Sequence, residues 1–333
     1  EKEKIKINIV VATSGDTGAA AISAIKNRKN MKVFVLHPKN KISDIQRKFM
    51  TTESSLNVFN IALNGNFDDC QKLVKSMFAD SKFRNSINMS GVNSINWSRI
   101  VFQIVYYFFA YFQIAKKNEK INFSVPTGNF GDVYAGYIAK KMGLPINKLL
   151  IATNKNDILK RVIDTGIYKP QKVKQTISPS MDIQVASNFE RLIFDICSKN
   201  SAKTIKFMKD LKEKGKIKFQ KKEHKKLKEN FLSESVDDNE TKLIINKIYK
   251  QNKNLIDPHT AVGIGAVKKS DLSGNTIILA TAHPFKFSNI VLKETGSKPT
   301  ISGNLKDIIL RKEKFDQLNK NIEDVKKYIL ERI

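Results

Sequence analysis

Residues Ile7 to Ala24 read INIVVATSGDTGAAAISA, and their order decides the fold. Ile7 to Ala12 is apolar and β-branched, the composition of a buried strand. Thr13, Ser14, Gly15, Asp16, Thr17 and Gly18 turn the chain with small side chains, and from Ala19 the sequence is alanine-rich and helix-forming. A strand, a polar turn and a helix start in that order present unpaired backbone N–H groups and the positive end of a helix dipole. That arrangement receives an anion.

A second unit of this kind spans Ile121 to Met142. Apolar residues alternate through Asn122-Phe123-Ser124-Val125, and the turn reads Pro126-Thr127-Gly128-Asn129-Phe130-Gly131-Asp132. A helix is predicted from Val133 towards Gly143, stopped by Pro145. Two glycine-bearing strand-to-helix turns predict two anionic groups, one bound by each half of the chain.

Working outward, the helix after the first turn leads to a strand at Lys32 to Leu36, a β-α-β unit that requires a parallel sheet and a right-handed crossover. Ser43 is placed to cap a helix through Phe49, a strand follows at Asn57 to Leu63, and Asn66 or Asp68 begins an amphipathic helix. Ile100 to Ala115 is almost wholly apolar and aromatic. It is shorter than the ~20 residues of a membrane span and is interrupted by Gln103 and Gln113, so it reads as a buried or interface helix. Lys116 to Lys120 is a charged break that predicts a lobe boundary. Strands are predicted at Leu149 to Thr153 and Ile277 to Ala280, the latter buried, and Pro258 after Asp257 starts a helix. The lysine-rich stretch 198–254 reads as a peripheral helical elaboration, and Asp307 to Ile333 as charged amphipathic helix.

The 333 residues suffice for a sizeable core in two lobes. A net charge of +27 invites a nucleic-acid reading, but the excess is mostly lysine spread along the chain, with no RNP motif, zinc-finger spacing or arginine-rich arm. Solvated lysine faces account for it, and neither a nucleic-acid nor a membrane partner is expected. Cys70 and Cys197 stand far apart, and His37, His224, His259 and His283 show no ligand spacing. Neither a disulfide framework nor a metal site follows, and a reducing cytoplasm is the expected compartment.

Several motifs then fall in a telling order. VVATSGDTGAA (Val10 to Ala20), NSINWSR (Asn93 to Arg99), VPTGNFGD (Val125 to Asp132), SPSMDI (Ser178 to Ile183), DPHTAVG (Asp257 to Gly263) and ATAHPFKF (Ala280 to Phe287) resemble, in this sequence order, the bacterial and fungal branch of the threonine synthase family. The resemblance thins only between Ser198 and Asn254. It implies an α/β fold of type II among pyridoxal-phosphate (PLP) enzymes, similar to the tryptophan synthase β chain. Such a fold has two lobes, each a mostly parallel sheet flanked by helices, with the cofactor in the cleft between them. Residues 1–117 would be the carboxylate-loop lobe, its N-terminal part missing, and 118–333 the cofactor-phosphate lobe. The implied reaction converts O-phosphohomoserine and water to threonine and phosphate, by loss of an α- and a β-proton, elimination of the γ-phosphate and addition of water at the β-carbon. A monomer or homodimer acting on this small substrate is the expected assembly.

Residue by residue, Gly128, Asn129, Phe130, Gly131 and Asp132 match the loop whose backbone holds the cofactor phosphate, which agrees with consecutive amides at a helix start. Thr13, Ser14, Gly15 and Thr17 match the loop that grips the substrate carboxylate. Asp16 matches a position near the cofactor's 3′-oxygen, and as readily serves as a helix N-cap. Thr281 matches the hydroxyl partner of the pyridine nitrogen, which leaves that nitrogen largely unprotonated. Asn96 and Arg99 belong to the substrate-phosphate motif, where Arg99 either pairs bidentately with phosphate or ties the helix into its lobe. His283 and Lys286 lie beside Thr281 with no assigned role.

One element of the family pattern is not in these residues. The lysine that holds the cofactor as a Schiff base lies, in the family, in a Gly-Pro-Thr-x-x-Phe-Lys-Asp motif upstream of the first strand. Lys2, Lys4 and Lys6 stand at the strand's own start. The expectation is a truncated form of a longer enzyme, inactive as it stands. Readings to be tested against this one are a serine or threonine dehydratase or a sulfhydrylase of the same fold, a basic nucleic-acid-binding protein, and a non-catalytic binder of phosphorylated small molecules.

Overall fold

The computed structural model describes residues 5–13, 15–93, 95–116, 118–301, 307 and 310–333. They form two compact units, Glu1–Asn93 with Thr300–Ile333, and Ser94–Pro299.

The first unit alternates strand and helix: β1 (Ile7–Ala12), α1 (Asp16–Ile25), β2 (Met31–Pro38), α2 (Asp44–Thr51), β3 (Val58–Leu63), α3 (Phe67–Ala79), α4 (Ser81–Ser86) and β4 (Met89–Ser90). Ser43 accepts the Gln46 N–H at the start of α2, and Asn66 and Asp69 form a reciprocal capping box at α3. Alternate residues of the strands face opposite sides of the sheet. Val10, Phe34, Leu36, Ile61 and Leu63 join the core under α3, while Ile9, Val11, Val33 and Val35 join the core under α1 and α2. A sheet buried on both faces needs such continuous apolar strands.

The second unit comprises α5 (Trp97–Ile114), β5 (Ile121–Pro126), α6 (Gly131–Lys141), β6 (Ile146–Thr153), α7 (Ile158–Thr165), β7 (Ile167–Tyr168), α8 (Phe189–Ile196), α9 (Ser201–Lys214), β8 (Ile217–Lys218), α10 (Lys221–Asn230), β9 (Phe231–Ser235), α11 (Asp238–Asn252), α12 (Pro258–Lys269), β10 (Thr276–Ile278) and α13 (Ser288–Thr295). Its sheet runs β10-β5-β6-β9, every pair parallel, and β7 and β8 form a separate antiparallel ribbon. The chain then returns to the first unit with β11 (Asp316–Leu318) and α14 (Ile322–Leu330), completing a parallel sheet of order β11-β3-β2-β1-β4.

Four expectations are corrected. The units do not part at 117/118: α5 belongs with the second sheet, because the Tyr107 hydroxyl donates to the Asp132 carbonyl and its ring packs against Gly136. The C-terminal stretch is not helix alone, since Asp316 to Leu318 pairs with Ile61 to Leu63 in the first sheet. The lysine-rich stretch is not merely peripheral, because Phe231 to Ser235 pairs with Leu149 to Thr153. Finally, the strand expected to be buried at Ile277 to Ala280 runs over 276–278 and is half-buried throughout. The helix α5, read as buried or interface, buries Ile100, Ile104, Tyr107 and Tyr111 and leaves Phe102, Phe109 and Phe112 exposed. Among the described residues no helix is long and apolar enough to cross a membrane.

His37, near the end of β2, is 1% exposed, and burial pulls its imidazole pKa down to about 4. The unfolded chain, with a histidine pKa near the ordinary 6.5, takes up this proton first as the pH falls. Stability held at neutral pH is therefore lost between pH 6.5 and 4, by up to about 3 kcal/mol from this group. Urea unfolding at pH 7 and pH 4.5 is expected to show that loss in the wild type and a smaller one in His37→Leu. Equal losses in both would show that His37 is not its source.

Candidate active site

The first turn is built by Thr13. Its side chain is 2% exposed, and its Oγ1 accepts the N–H groups of both Gly15 and Gly18. Thr13 thus shapes the turn from beneath. Gly15 has φ +136°, a backbone region that other residues rarely adopt, and a Cβ there would lie 2.9 Å from the Cβ of Gln46. Asp16 is exposed at the first position of α1 and accepts from the Gln46 side-chain amide at 3.3 Å, and Thr17 is half-buried beside it. Ser14 lies outside the described residues.

The second turn is more tightly walled. β5 ends at Pro126, where Thr127 is fixed by its N–H to the Ala152 carbonyl and its hydroxyl to the Val125 carbonyl. A Cβ on Gly128 would lie 2.6 Å from the Ser180 carbonyl oxygen and 3.1 Å from the Met181 Cα. The SPSMDI segment is therefore the wall of this loop. Its own rigidity comes from the Asp182 carboxylate, which accepts from Asn154, Asn156 and the Thr176 hydroxyl and N–H, among side chains buried or nearly so. Burial raises the Asp182 pKa against the lowering by these donors.

Asn129 folds its side chain back to accept the Gly131 N–H at 2.8 Å. Phe130 has φ 69° and ψ 6°, a left-handed conformation that costs a non-glycine residue roughly 1–2 kcal/mol. Its ring offsets that cost in the core, edge-on to Phe189 at 5.1 Å and tilted against Phe231 at 5.9 Å. The backbone N–H groups of Gly128, Asn129 and Phe130 have no protein acceptor among the described residues. They stand just before the first turn of α6. Asp132, in that turn, accepts the Tyr107 hydroxyl at 3.2 Å, and burial raises its carboxyl to about 6.

The other predicted residues have the following places. β10 pairs with β5, and the Leu279 N–H reaches the Ser124 carbonyl, so Thr281 leaves the sheet at the same end as Gly128, with its side chain exposed. Asn96 caps α5 by accepting the Ser98 N–H at 3.0 Å. Arg99, half-buried in the same first turn, has its pKa lowered by burial. Beside Thr281, His283 Nδ1 accepts the Phe285 N–H and so starts the HPFKF turn.

Two further groups carry polar contacts to which no role was assigned in the sequence. Asp257 accepts the His259 N–H and ring Nδ1 and the Thr260 hydroxyl, and the His259 ring packs at 4.9 Å on Phe287. Asn188 donates twice to the Asn129 carbonyl. The DPHTAVG motif pointed to the first group, whereas no spacing in the sequence marks Asn188.

A model of the pyridoxal-phosphate dependent enzymes matches residues 1–210, and one described as "Threonine synthase, C-terminal" matches 260–329. The threonine synthase of Pseudomonas aeruginosa is 42% identical over 327 residues, covering 97% of this chain and 70% of the relative. The chain belongs to the threonine synthase family. That of Saccharomyces cerevisiae is 45% identical over 312 residues, covering 87% of this chain and 61% of its own. A PLP-bound threonine synthase structure from Brucella melitensis superposes with a TM-score of 0.95 at 42% identity, over 99% of this chain and 72% of that one. The chain thus spans roughly three-fifths to seven-tenths of the length of these threonine synthases. At 15% identity, a maize serine racemase with a TM-score of 0.58 shares the fold alone. The family fold is therefore of type II, an α/β architecture of parallel sheets flanked by helices.

Proposed function

We propose that these residues bind pyridoxal phosphate and serve the conversion of O-phosphohomoserine and water to threonine and phosphate. The observation that carries the reading is the Gly128–Gly131 loop, whose three unpaired N–H groups stand at the start of an 11-residue helix against a wall too close for any side chain at Gly128. Such a loop fits a phosphate, which accepts several N–H groups at once and is favoured by the helix dipole. When bound, the cofactor supplies an electron sink for proton loss from the substrate's α-carbon.

This chain's own residues then have distinct tasks. Gly128, Asn129 and Phe130 hold the phosphate through their backbone N–H groups, Gly131, whose N–H is taken by Asn129, closes the loop, and Asp132 is tethered to Tyr107 at its base. Thr281 donates or accepts at the pyridine nitrogen without delivering a full proton. Thr13 shapes the carboxylate loop by accepting the Gly15 and Gly18 N–H groups, Ser14, Gly15 and Thr17 are the residues assigned to the substrate carboxylate, and Asp16 lies beside Gly15, tied to Gln46. Arg99, with Asn96 holding its helix end, is the cation for the leaving phosphate. The same reading carries a cytoplasmic location with free thiols at Cys70 and Cys197, and a monomer or homodimer.

Two measurements test it. Titration with pyridoxal phosphate is expected to saturate. In its presence, O-phosphohomoserine is expected to raise Tm well beyond homoserine, because only the former offers the phosphate. Failure to bind pyridoxal phosphate, or equal stabilisation by the two amino acids, would overturn the reading. Because no Gly-Pro-Thr-x-x-Phe-Lys-Asp motif occurs in the 333 residues, this polypeptide by itself is expected to release no phosphate from O-phosphohomoserine. A coupled phosphate assay showing turnover would refute that last statement.

A further inference from the structure

We infer that Asn188 is a positioning residue that orients the Asn129–Phe130 peptide and so aims the Phe130 N–H at the bound phosphate. The inference rests on the reading of the Gly128–Gly131 loop as a phosphate site and names what holds that loop in its working shape.

Asn188 is completely buried and occupies the N-cap position of α8, where an asparagine side chain ordinarily turns back to accept the N–H groups of its own helix. Here it makes no such bond. Its Nδ2 donates to the Asn129 carbonyl at 3.3 Å, and its backbone N–H donates to the same oxygen at 3.0 Å. The peptide after Asn129 is trans, so its carbonyl and the Phe130 N–H point in opposite directions. Clamping the carbonyl towards α8 therefore turns the Phe130 N–H away from α8, where no protein acceptor among the described residues meets it. The same peptide leads into the left-handed Phe130, whose φ of 69° a non-glycine residue intrinsically disfavours, so the observed orientation has to be held against its flip.

The clamp is itself held. Asn188 Oδ1 accepts from Arg191 Nε at 3.3 Å, which leaves Nδ2 as the end facing Asn129. Arg191 Nη2 donates to the Ile95 carbonyl at 2.7 Å, and the guanidinium lies 5.5 Å from the Trp97 ring. One short relay thus runs from the NSINWSR turn, through Arg191 and Asn188, to the phosphate loop. A Cβ on Gly131 would stand 3.0 Å from Asn129 Oδ1 and 3.3 Å from Asn188 Nδ2, so the two asparagine side chains close on the loop at this glycine.

The test compares equilibrium binding of pyridoxal phosphate and of pyridoxal, which lacks the phosphate, to the wild type, Asn188→Ala and Asn188→Asp. Loss of one amide aimed at a phosphate is expected to weaken pyridoxal phosphate tenfold to about a hundredfold. Pyridoxal is expected to change less than about threefold. The aspartate variant is expected to be the weaker binder, because its carboxylate opposes the carbonyl and repels the phosphate. Should the Asn188 variants not fold, Arg191→Gln, which removes the Nε donor to Asn188 Oδ1, is expected to show the same selective loss on a smaller scale. An equal loss for both ligands, or none for either, overturns the role of Asn188. A wild type that binds no pyridoxal phosphate overturns instead the phosphate-site reading beneath it.

Discussion

Replacing Gly128 by alanine is expected to lower the affinity for pyridoxal phosphate by a hundredfold or more, while lowering the stability of the second unit by only about 1–3 kcal/mol. The added methyl would sit 2.6 Å from the Ser180 carbonyl oxygen, 3.1 Å from the Met181 Cα and 3.1 Å from the Ile183 side chain. Two of these are backbone atoms, so no rotamer change relieves the clash. The wall has little freedom to retreat. Met181 is buried in a short 3-10 turn, with its N–H on the Ser178 carbonyl, and the following Asp182 is tied to Asn154, Asn156 and Thr176. Thr127 is anchored on both its N–H and its hydroxyl. The strain is therefore taken up by the loop, whose amides lose their common aim. A hundredfold loss corresponds to about 2.7 kcal/mol, the worth of one or two charge-assisted hydrogen bonds. Fluorescence titration of the variant with pyridoxal phosphate, beside its thermal unfolding curve, checks both halves. Undiminished affinity would show that the loop is not the phosphate site.

Gly136→Ala is expected to be the more damaging change to stability, by about 3 kcal/mol, lowering Tm by roughly 6–12 °C. Alanine is favoured over glycine in a helix interior by about 1 kcal/mol, so helix propensity alone predicts the opposite sign. Packing decides the outcome. The Cβ would lie 2.4 Å and 2.6 Å from the Tyr107 ring and 2.9 Å from Leu149. Tyr107 is completely buried, leans on Phe123 at 5.0 Å between ring centres, and is pinned through its hydroxyl to the Asp132 carbonyl and carboxyl. The ring has nowhere to swing without giving up those bonds. Differential scanning calorimetry decides the matter, and an unchanged or raised Tm would show that α5 and α6 slide apart more easily than this contact allows. Since Asp132 also stands at the base of the loop proposed to hold the phosphate, the variant is expected to weaken pyridoxal phosphate binding as a secondary effect.

Local signals were read from the chain with success where chemistry and geometry are both local. Apolar, β-branched runs placed β1, β2, β3 and β6 and alternation placed β5, and the caps at Ser43, Asn66 and Asp257 lie where short polar side chains precede a helical run. The glycines of the two turns marked where backbone must approach something closely, because that need is written in the residue itself. The co-ordered motifs made the family legible as well.

What escaped sequence reading is long-range. Nothing in Asp316 to Leu318 announces that it will pair with β3, some 250 residues earlier, since a three-residue edge strand is specified by the partner waiting for it. Phe231 to Ser235 was hidden for the same reason inside a lysine-rich stretch whose helices dominate its composition. The exposed aromatic face of α5 could not be told from a buried one, because composition reports apolarity and only packing reports which face is covered. By itself the sequence determined two parallel β/α units, the glycine-bearing turns that open their helices and the kinship with threonine synthases. Only the tertiary structure decided that Ser180 walls Gly128 and that Asn188 grips Asn129, 59 residues away along the chain, because a hydrogen bond between distant segments exists only once the core has brought them within 3 Å or so of each other.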